Sequence, residues 1–293
     1  NNQIYKELWS GNMGRRIQHF LFTLLFIYIL ASIPLIFKIS NGHIEINISN
    51  VLNQSIILFS NILKGDISIL ETQMNTKIIE PAGFTFILLV SSMFISLVFS
   101  LLFGLFLQKV IFVKWLINSM KLLAKIPDFV IILVAMLAAV NFYKFSGYRI
   151  ITINNSGSAI NLWFPILILS ITPTVYMIKN IDSRYHQIAS EDYIKTAISK
   201  GLSVNYINLH HVYKNIKPYL LTDLSKALSL SLVSLFIIEY LLNVSGLTKH
   251  IFMSDYSLEL GIVNFSVLIL IAILCYLILR LILFFFEKGF IHE

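Results

Sequence analysis

The sequence predicts an all-α fold, a polytopic membrane domain of six transmembrane helices. Three observations carry this. Of 293 residues, 57% are hydrophobic and only 13% are charged, about half the charged share of a soluble domain. Six stretches reach the ~20 apolar residues that a bilayer requires: 18–37, 84–107, 122–143, 162–180, 219–242 and 262–286. The cations between those stretches also alternate in density from one side of the membrane to the other.

That alternation sets the orientation. Lys6, Arg15 and Arg16 precede the first span. Lys109, Lys114, Lys121 and Lys125 lie around the second connection. Lys179, Arg184, Lys195, Lys200, Lys214 and Lys217 lie around the fourth, and Lys288 follows the last span. These are fourteen cations on one side, against Lys38, Lys64, Lys77, Lys144, Arg149 and Lys249 on the other. By the positive-inside rule both termini face the cytoplasm of a bacterial cell membrane. The net charge of +7 is thereby accounted for, and no nucleic-acid partner is needed.

The elements follow in order. Residues 1–17 form a cytoplasmic segment. The first span, 18–37, is too long for a signal-peptide core, and no small-residue cleavage site follows it. An external segment closes this region at residue 83. Within it VLNQSIILFSNILKG (51–65) has apolar residues at helical spacing and predicts a helix lying in the interface. Asn47-Ile48-Ser49 matches a glycosylation triplet by chance. The core transmembrane domain, 84–286, then holds five spans. Asp128 opens the third. The loop around 144–161, rich in Gly, Ser and Asn, predicts turns. Pro165 and Pro173 interrupt the fourth span, as neighbouring helices permit in membranes. Asp223 and Lys226 lie low in the fifth and are spaced to pair at i, i+3. Cys275, alone and in an apolar run, excludes an internal disulfide and a cysteine metal site. Residues 287–293 form a cytoplasmic tail.

Between spans four and five the chain interrupts itself with SEDYIKTAISKGLS (190–203). This stretch carries its own start and stop signals. Ser190 is a suitable N-cap, and Glu191 and Asp192 meet the positive end of the helix dipole. Lys200 falls in the last turn, and Gly201 supplies a left-handed C-cap. Tyr193, Ile194, Ala197 and Ile198 make one apolar face. Ser203 then caps a second helix, about 204–217, that ends near Pro218. The cytoplasmic segment 181–218 is therefore a compact helix–turn–helix. It is either an amphipathic connector lying on the membrane or a docking element for a soluble partner, and the pattern alone leaves both open.

EDYIKTAISKGLS resembles the cytoplasmic signature of the B-type permease subunits of peptide and nickel ABC importers, the oligopeptide and dipeptide permeases among them. That signature is the subfamily's form of the E-A-A-x-x-x-G loop of binding-protein-dependent importers. Lys195-Thr196-Ala197 and Gly201 stand at its E-A-A and G positions. Further blocks follow in family order: LKGDIS (63–68), AKIPDFVIIL (124–133), FPILILSITPTVYMIKNI (164–181), IIEYLLNVSGLTKHIF (237–252) and SDYSLELG (254–261). The chain departs from the family at Ser245-Gly246-Leu247-Thr248, where P-G-L-G is usual. It also departs at HVYKNIKP, one residue short of the family's form, and at EKGF near the C-terminus.

The resemblance implies a type I permease subunit that takes up oligopeptides, dipeptides or a peptide-like or metal-chelate solute such as nickel. It implies a second related permease, two cytoplasmic ATPases and an extracellular solute-binding lipoprotein as partners. ATP is bound by the ATPases, so this chain needs no cofactor. It has no GxxxxGK[ST] phosphate loop and is expected not to be an enzyme. The coupling residues implied are Glu191, Asp192, Tyr193, Lys195, Thr196, Ala197, Lys200 and Gly201. Glu239, an acid in the outer part of span five, and its neighbour Tyr240 fall in a block resembling pore-lining sequence. An intramembrane carboxylate is a functional candidate by default, and Glu239 either faces the translocation path or caps structure near the outer surface. The altered 245–248 turn supports one alternative, a non-transporting scaffold or sensor that retains the ATPase-docking loop.

Other chemistries find no support. HExxH, a Gly-x-Ser-x-Gly elbow and paired intramembrane aspartates are absent from the sequence. His210 and His211 are adjacent and point about 100° apart on a helix, so they do not make a metal pair.

Overall fold

The computed structural model describes residues 2–40, 43–64, 78–108, 110–148, 162–252 and 256–290. Among the described residues the fold is all-α apart from one short hairpin, with six helical segments long and apolar enough to cross a membrane: Gln18–Ile36, Ile79–Phe106, Asp128–Ser146, Trp163–Ala189, Val204–Leu241 and Leu258–Gly289. It divides into two compact units, residues 1–82 with 250–270, and residues 83–249 with 271–293.

In the first unit, helix α1 (Asn2–Ile36) leads into a short antiparallel hairpin, β1 (Phe37–Ser40) and β2 (His43–Ile46), with Phe37 opposite Ile46. Helix α2 (Ile48–Leu63) follows. A helix is thus present where one was expected over 51–65, but it starts three residues earlier. The cause is Asn47, whose side-chain oxygen accepts from the Asn50 backbone N–H at 3.0 Å and from the Ser49 hydroxyl at 2.8 Å. The apparent glycosylation triplet is thus an N-cap. The helix buries Val51, Ser55 and Leu58 and exposes Ile48, Leu52, Ile56 and Phe59. Tyr28 of α1 and Ser55 share a hydrogen bond of 2.7 Å.

Helix α10 (Leu258–Phe290) begins in this unit. Its first free N–H, on Leu258, donates to the Gln54 side chain of α2 at 2.8 Å. Just before it, the Tyr256 hydroxyl donates to the Ala31 carbonyl at 2.9 Å. Burial pushes the Tyr256 phenol above its ordinary pKa, so this group is a neutral donor at physiological pH. A side chain at Gly261 would overlap the Tyr256 hydroxyl.

The second unit is a helical bundle. Helix α3 (Ile79–Leu101) widens into a π turn over Leu102–Phe106. Helices α4 (Ile111–Leu123), α5 (Asp128–Ser146) and α6 (Trp163–Ala189) follow. Then come α7 (Asp192–Ser199), α8 (Val204–Ile207), a second π turn (Asn208–Tyr213) and α9 (Lys214–Leu241). The core contains Leu88, Leu89, Met93, Met177, Ile178, Ile216, Leu220 and Leu224, all fully buried. The Ile181 side chain packs directly on Gly104, where an added Cβ would stand 2.6 Å from its Cγ2.

The third span does not start at 122. Residues up to Leu123 belong to α4, and α5 starts at Asp128, because Pro127 drives the residue before it out of helical geometry. The helix of the fourth span does not end at 180 but runs to Ala189. Ile181 and Asp182 are buried, so packing carries the helix past its apolar stretch. Pro218 does not end a helix. Ile216, Leu220 and Leu224, at i, i+4 and i+8, are each fully buried. That continuous stripe outweighs a local proline cost of about 3 kcal/mol. Asp223 does not pair with Lys226, which lies on the exposed face of α9. It is buried against Arg184 of α6, with Nη2 to Oδ2 at 3.3 Å. The loop residues 149–161, the block at 65–68 and the tail beyond Phe290 lie outside the described residues.

Candidate functional site

The stretch quoted above folds as a self-contained element. Its N-cap is Glu191, in extended geometry, not Ser190. Ser190 instead closes α6, its hydroxyl donating to the Gln187 carbonyl at 2.7 Å. The physical reason is the unexpected length of α6, whose end consumes Ser190. Asp192 opens α7 and pairs with Lys195 at 2.8 Å, with both side chains largely in solvent. Such an exposed pair contributes at most about 1 kcal/mol.

The end of α7 forms a Schellman motif. Gly201 has φ +76°, and its N–H donates to the Ile198 carbonyl at 2.9 Å. The Leu202 N–H donates to the Ala197 carbonyl at 3.3 Å. Glycine takes this backbone without strain, and asparagine is the side chain that follows it most readily there. Ser203 caps α8 as expected, accepting from the Tyr206 N–H at 3.4 Å.

The apolar face expected on α7 is split. Ile194 and Ala197 are buried, whereas Tyr193 is 43% and Ile198 60% exposed. Ala197 is therefore a packing residue. Glu191, Asp192, Tyr193, Lys195, Thr196, Ile198 and Lys200 are all exposed. Tyr193 is held from behind: its hydroxyl accepts from the Asn215 amide at 2.9 Å. The His210 ring stacks on Tyr206, with centroids 4.1 Å apart, and the His211 ring lies 6.3 Å from that of Tyr193. His210 is thus a packing residue of this surface, and among the described residues no group of three or more His, Cys, Asp or Glu is arranged around a metal. The result is a rigid knob with an acidic N-terminal turn, a basic end and an apolar tyrosine–isoleucine patch.

Three ion pairs join the helices behind the knob. Lys121 of α4 meets Asp182 of α6 at 2.6 Å. Arg184 of α6 meets Asp223 of α9, and its guanidinium lies 4.1 Å from the Tyr219 ring centroid. Lys217 of α9 pairs with Glu287 of α10. Sequence reasoning missed all three. Asp182 and Asp223 did signal them, since acids at the ends of apolar runs need partners.

The second candidate, Glu239, is fully buried. One carboxylate oxygen accepts from the Thr85 hydroxyl of α3 at 2.6 Å. The other accepts from the Thr248 N–H at 2.8 Å and the Thr248 hydroxyl at 2.6 Å. Thr85 in turn accepts from the Leu247 N–H at 2.9 Å. Asn243, at φ +55°, turns the chain back after α9, and the Val244 N–H returns to the Glu239 carbonyl at 3.0 Å. The carboxylate occupies the space where a side chain at Gly246 would be. Glu239 thus organises the 243–248 turn and ties it to α3. Tyr240, beside it, is 58% exposed. Thr85 and Thr248 were not anticipated as its partners.

Comparison with known proteins agrees with this architecture. The family described as binding-protein-dependent transport system inner membrane component matches residues 96–292, more than half of the chain. The oligopeptide transport system permease protein OppB of Mycoplasma pneumoniae is 29% identical over 154 residues, covering 50% of this chain and 39% of that protein. The dipeptide transport system permease protein DppB of Bacillus subtilis is 29% identical over 121 residues, covering 40% of this chain and 39% of that protein. Each match thus spans about two fifths of the relative's length.

Proposed function

The chain belongs to the family of binding-protein-dependent transport inner membrane components, and from that premise we propose that it is the permease subunit of an ATP-driven importer of oligopeptides or dipeptides. The peptide assignment rests on the two permeases it resembles. The observation that carries the coupling role is the α7 knob, a short helix with both ends fixed whose side chains other than Ile194 and Ala197 are exposed. A helix that is neither apolar enough to enter lipid nor covered by its own chain suits a groove on a soluble partner.

In this reading Glu191, Asp192, Tyr193, Lys195, Thr196 and Lys200 meet a cytoplasmic ATPase, and Ala197 and Gly201 hold the knob in shape. The three ion pairs behind it carry its displacement into α4, α6, α9 and α10. ATP is bound and hydrolysed on two ATPase subunits, a second permease completes the pathway, and an external solute-binding lipoprotein delivers the peptide. In this reading the knob lies in the cytoplasm with both termini, and the cation asymmetry supports that side. The enclosed Glu239 makes the outer turn rigid despite its departure from P-G-L-G, which favours a transporting subunit over a scaffold.

The test is affinity purification of the tagged chain from its own membrane, paired with peptide uptake by cells with and without it. Co-purification of a nucleotide-binding subunit and loss of di- or oligopeptide uptake on deletion are expected. Absence of any nucleotide-binding partner, with uptake unchanged, would overturn the assignment.

A further inference from the structure

A pocket of about 240 Å³ lies between α4 and α6, lined by Ile117 and by the polar side chains of Gln108, Lys114, Asn118, Lys121, Asp182 and His186. The knob does not use it. Its depth in the membrane follows from helix length. The 27 residues of α6 rise about 40 Å, against a hydrocarbon core of about 30 Å. Lys179, Asp182, Arg184 and His186 all fall in its last turns, so the excess length together with this charge puts that end at the membrane surface.

Helix α4 presents three faces. Val113 and Ile117 are buried against Ile178. Lys114, Asn118 and Lys121, at i, i+4 and i+7, line the pocket. Ile111, Phe112, Trp115 and Leu122 are exposed, at 85%, 65%, 64% and 64%. Phe112 and Trp115 stack with centroids 6.1 Å apart. Tryptophan at a membrane surface marks the boundary between headgroups and acyl chains. An apolar face in lipid thus adjoins a stripe of cations on one helix.

The charge in the pocket is unevenly used. Among the described lining residues Asp182 is the one acid, and its oxygens are already taken by Lys121 at 2.6 Å, Gln108 at 3.3 Å and His186 at 3.5 Å. The Lys121 side chain remains 40% exposed, with N–H groups to spare. Lys114 is exposed, and among the described residues it has no ion-pair partner. Lys114, Lys121 and the Asn118 amide are open donors around a space of about 240 Å³, roomy enough for a phosphate group. We propose that this pocket binds the headgroup of an anionic phospholipid whose acyl chains lie along Ile111, Phe112 and Trp115. Bound there, the lipid bridges α4 to α6 beside the Lys121–Asp182 pair. The proposal rests on the membrane reading alone and is independent of what the chain transports.

The test uses the full chain with Trp9 and Trp163 replaced by Phe, so that Trp115 alone reports. It is reconstituted in phosphatidylcholine nanodiscs. Phosphatidylglycerol with brominated acyl chains is titrated in, and brominated phosphatidylcholine serves as the control. Quenching of Trp115 by the anionic lipid is expected at a mole fraction about fivefold lower than by the neutral one, the preference one surface lysine supplies. Lys114→Gln abolishes that preference and Lys114→Arg keeps it. Inorganic phosphate at millimolar concentration leaves the quenching unchanged. Equal quenching by both lipids, a preference retained in Lys114→Gln, or displacement by inorganic phosphate would each overturn the proposal. Failure of either lipid to quench Trp115 would mean that protein covers this face, and would overturn it as well.

Discussion

The Glu239 carboxylate fills the volume that a side chain at Gly246 would occupy. Seven positions apart in the chain, these residues are matched: the glycine leaves the hole, and three hydrogen bonds from Thr85 and Thr248 hold the acid in it. Gly246→Ala therefore forces either the turn or the carboxylate to move. We expect a loss of about 1–3 kcal/mol, the usual cost of overpacking, read as a lower thermal midpoint in detergent. Glu239→Ala empties the site, so Gly246→Ala in that background costs less. An unchanged midpoint for Gly246→Ala alone would contradict the geometry.

Glu239→Gln keeps the shape and tests the acceptor role. Three donors point at the carboxylate, and an amide nitrogen accepts from none of them. One donor is left unsatisfied, at about 1–3 kcal/mol. Because the acid holds a turn, uptake of neutral and cationic peptides should fall by the same factor, with less protein in the membrane. A selective loss of cationic peptides at normal abundance would place the charge on the translocation path instead.

Gly201 ends α7 at φ +76° in open space, so only backbone strain limits its replacement. Gly201→Asn should be tolerated, because asparagine visits the left-handed region readily. Gly201→Val should reduce nucleotide-binding subunit co-purification and peptide uptake together, with membrane abundance unchanged. Normal co-purification of the valine variant would remove α7 from the coupling role.

Asp223 separates the two cations near it. Removing Arg184 leaves a buried carboxylate uncompensated, so Arg184→Met should cost about 3 kcal/mol. Lys226→Met, on the exposed face, should stay within about 0.5 kcal/mol. Equal effects would mean that the pairing expected from i, i+3 spacing had been right.

Orientation is read by labelling. In a Cys275→Ala background, Ser199→Cys should react with a membrane-impermeant maleimide only after the cells are opened. Asn53→Cys, on the exposed side of α2, should react on intact cells. The reverse pattern would invert the topology.

Much of this protein is written in its sequence, because the membrane makes composition decisive. With no water to satisfy the backbone, an apolar stretch of about 20 residues must be a helix, so the six spans and the all-α class follow directly. Local chemistry is equally legible where it is self-contained. Gly201, Ser203 and the helix containing Lys195-Thr196-Ala197 depend on groups within a few residues of one another. The tertiary structure decided what depends on distant partners. Ser190 lost its cap role because packing at Ile181 and Asp182 extended the preceding helix. Pro218 failed to break α9 because a buried stripe runs past it. Asp223 turned to Arg184, 39 positions away, in place of the lysine three positions along its own helix. Glu239 met Thr85, 154 positions away, and Lys121 met Asp182 across α4 and α6. A buried charge must find a partner, and helical spacing names the neighbours on one helix only. Which other helix supplies the partner is set by how the helices pack.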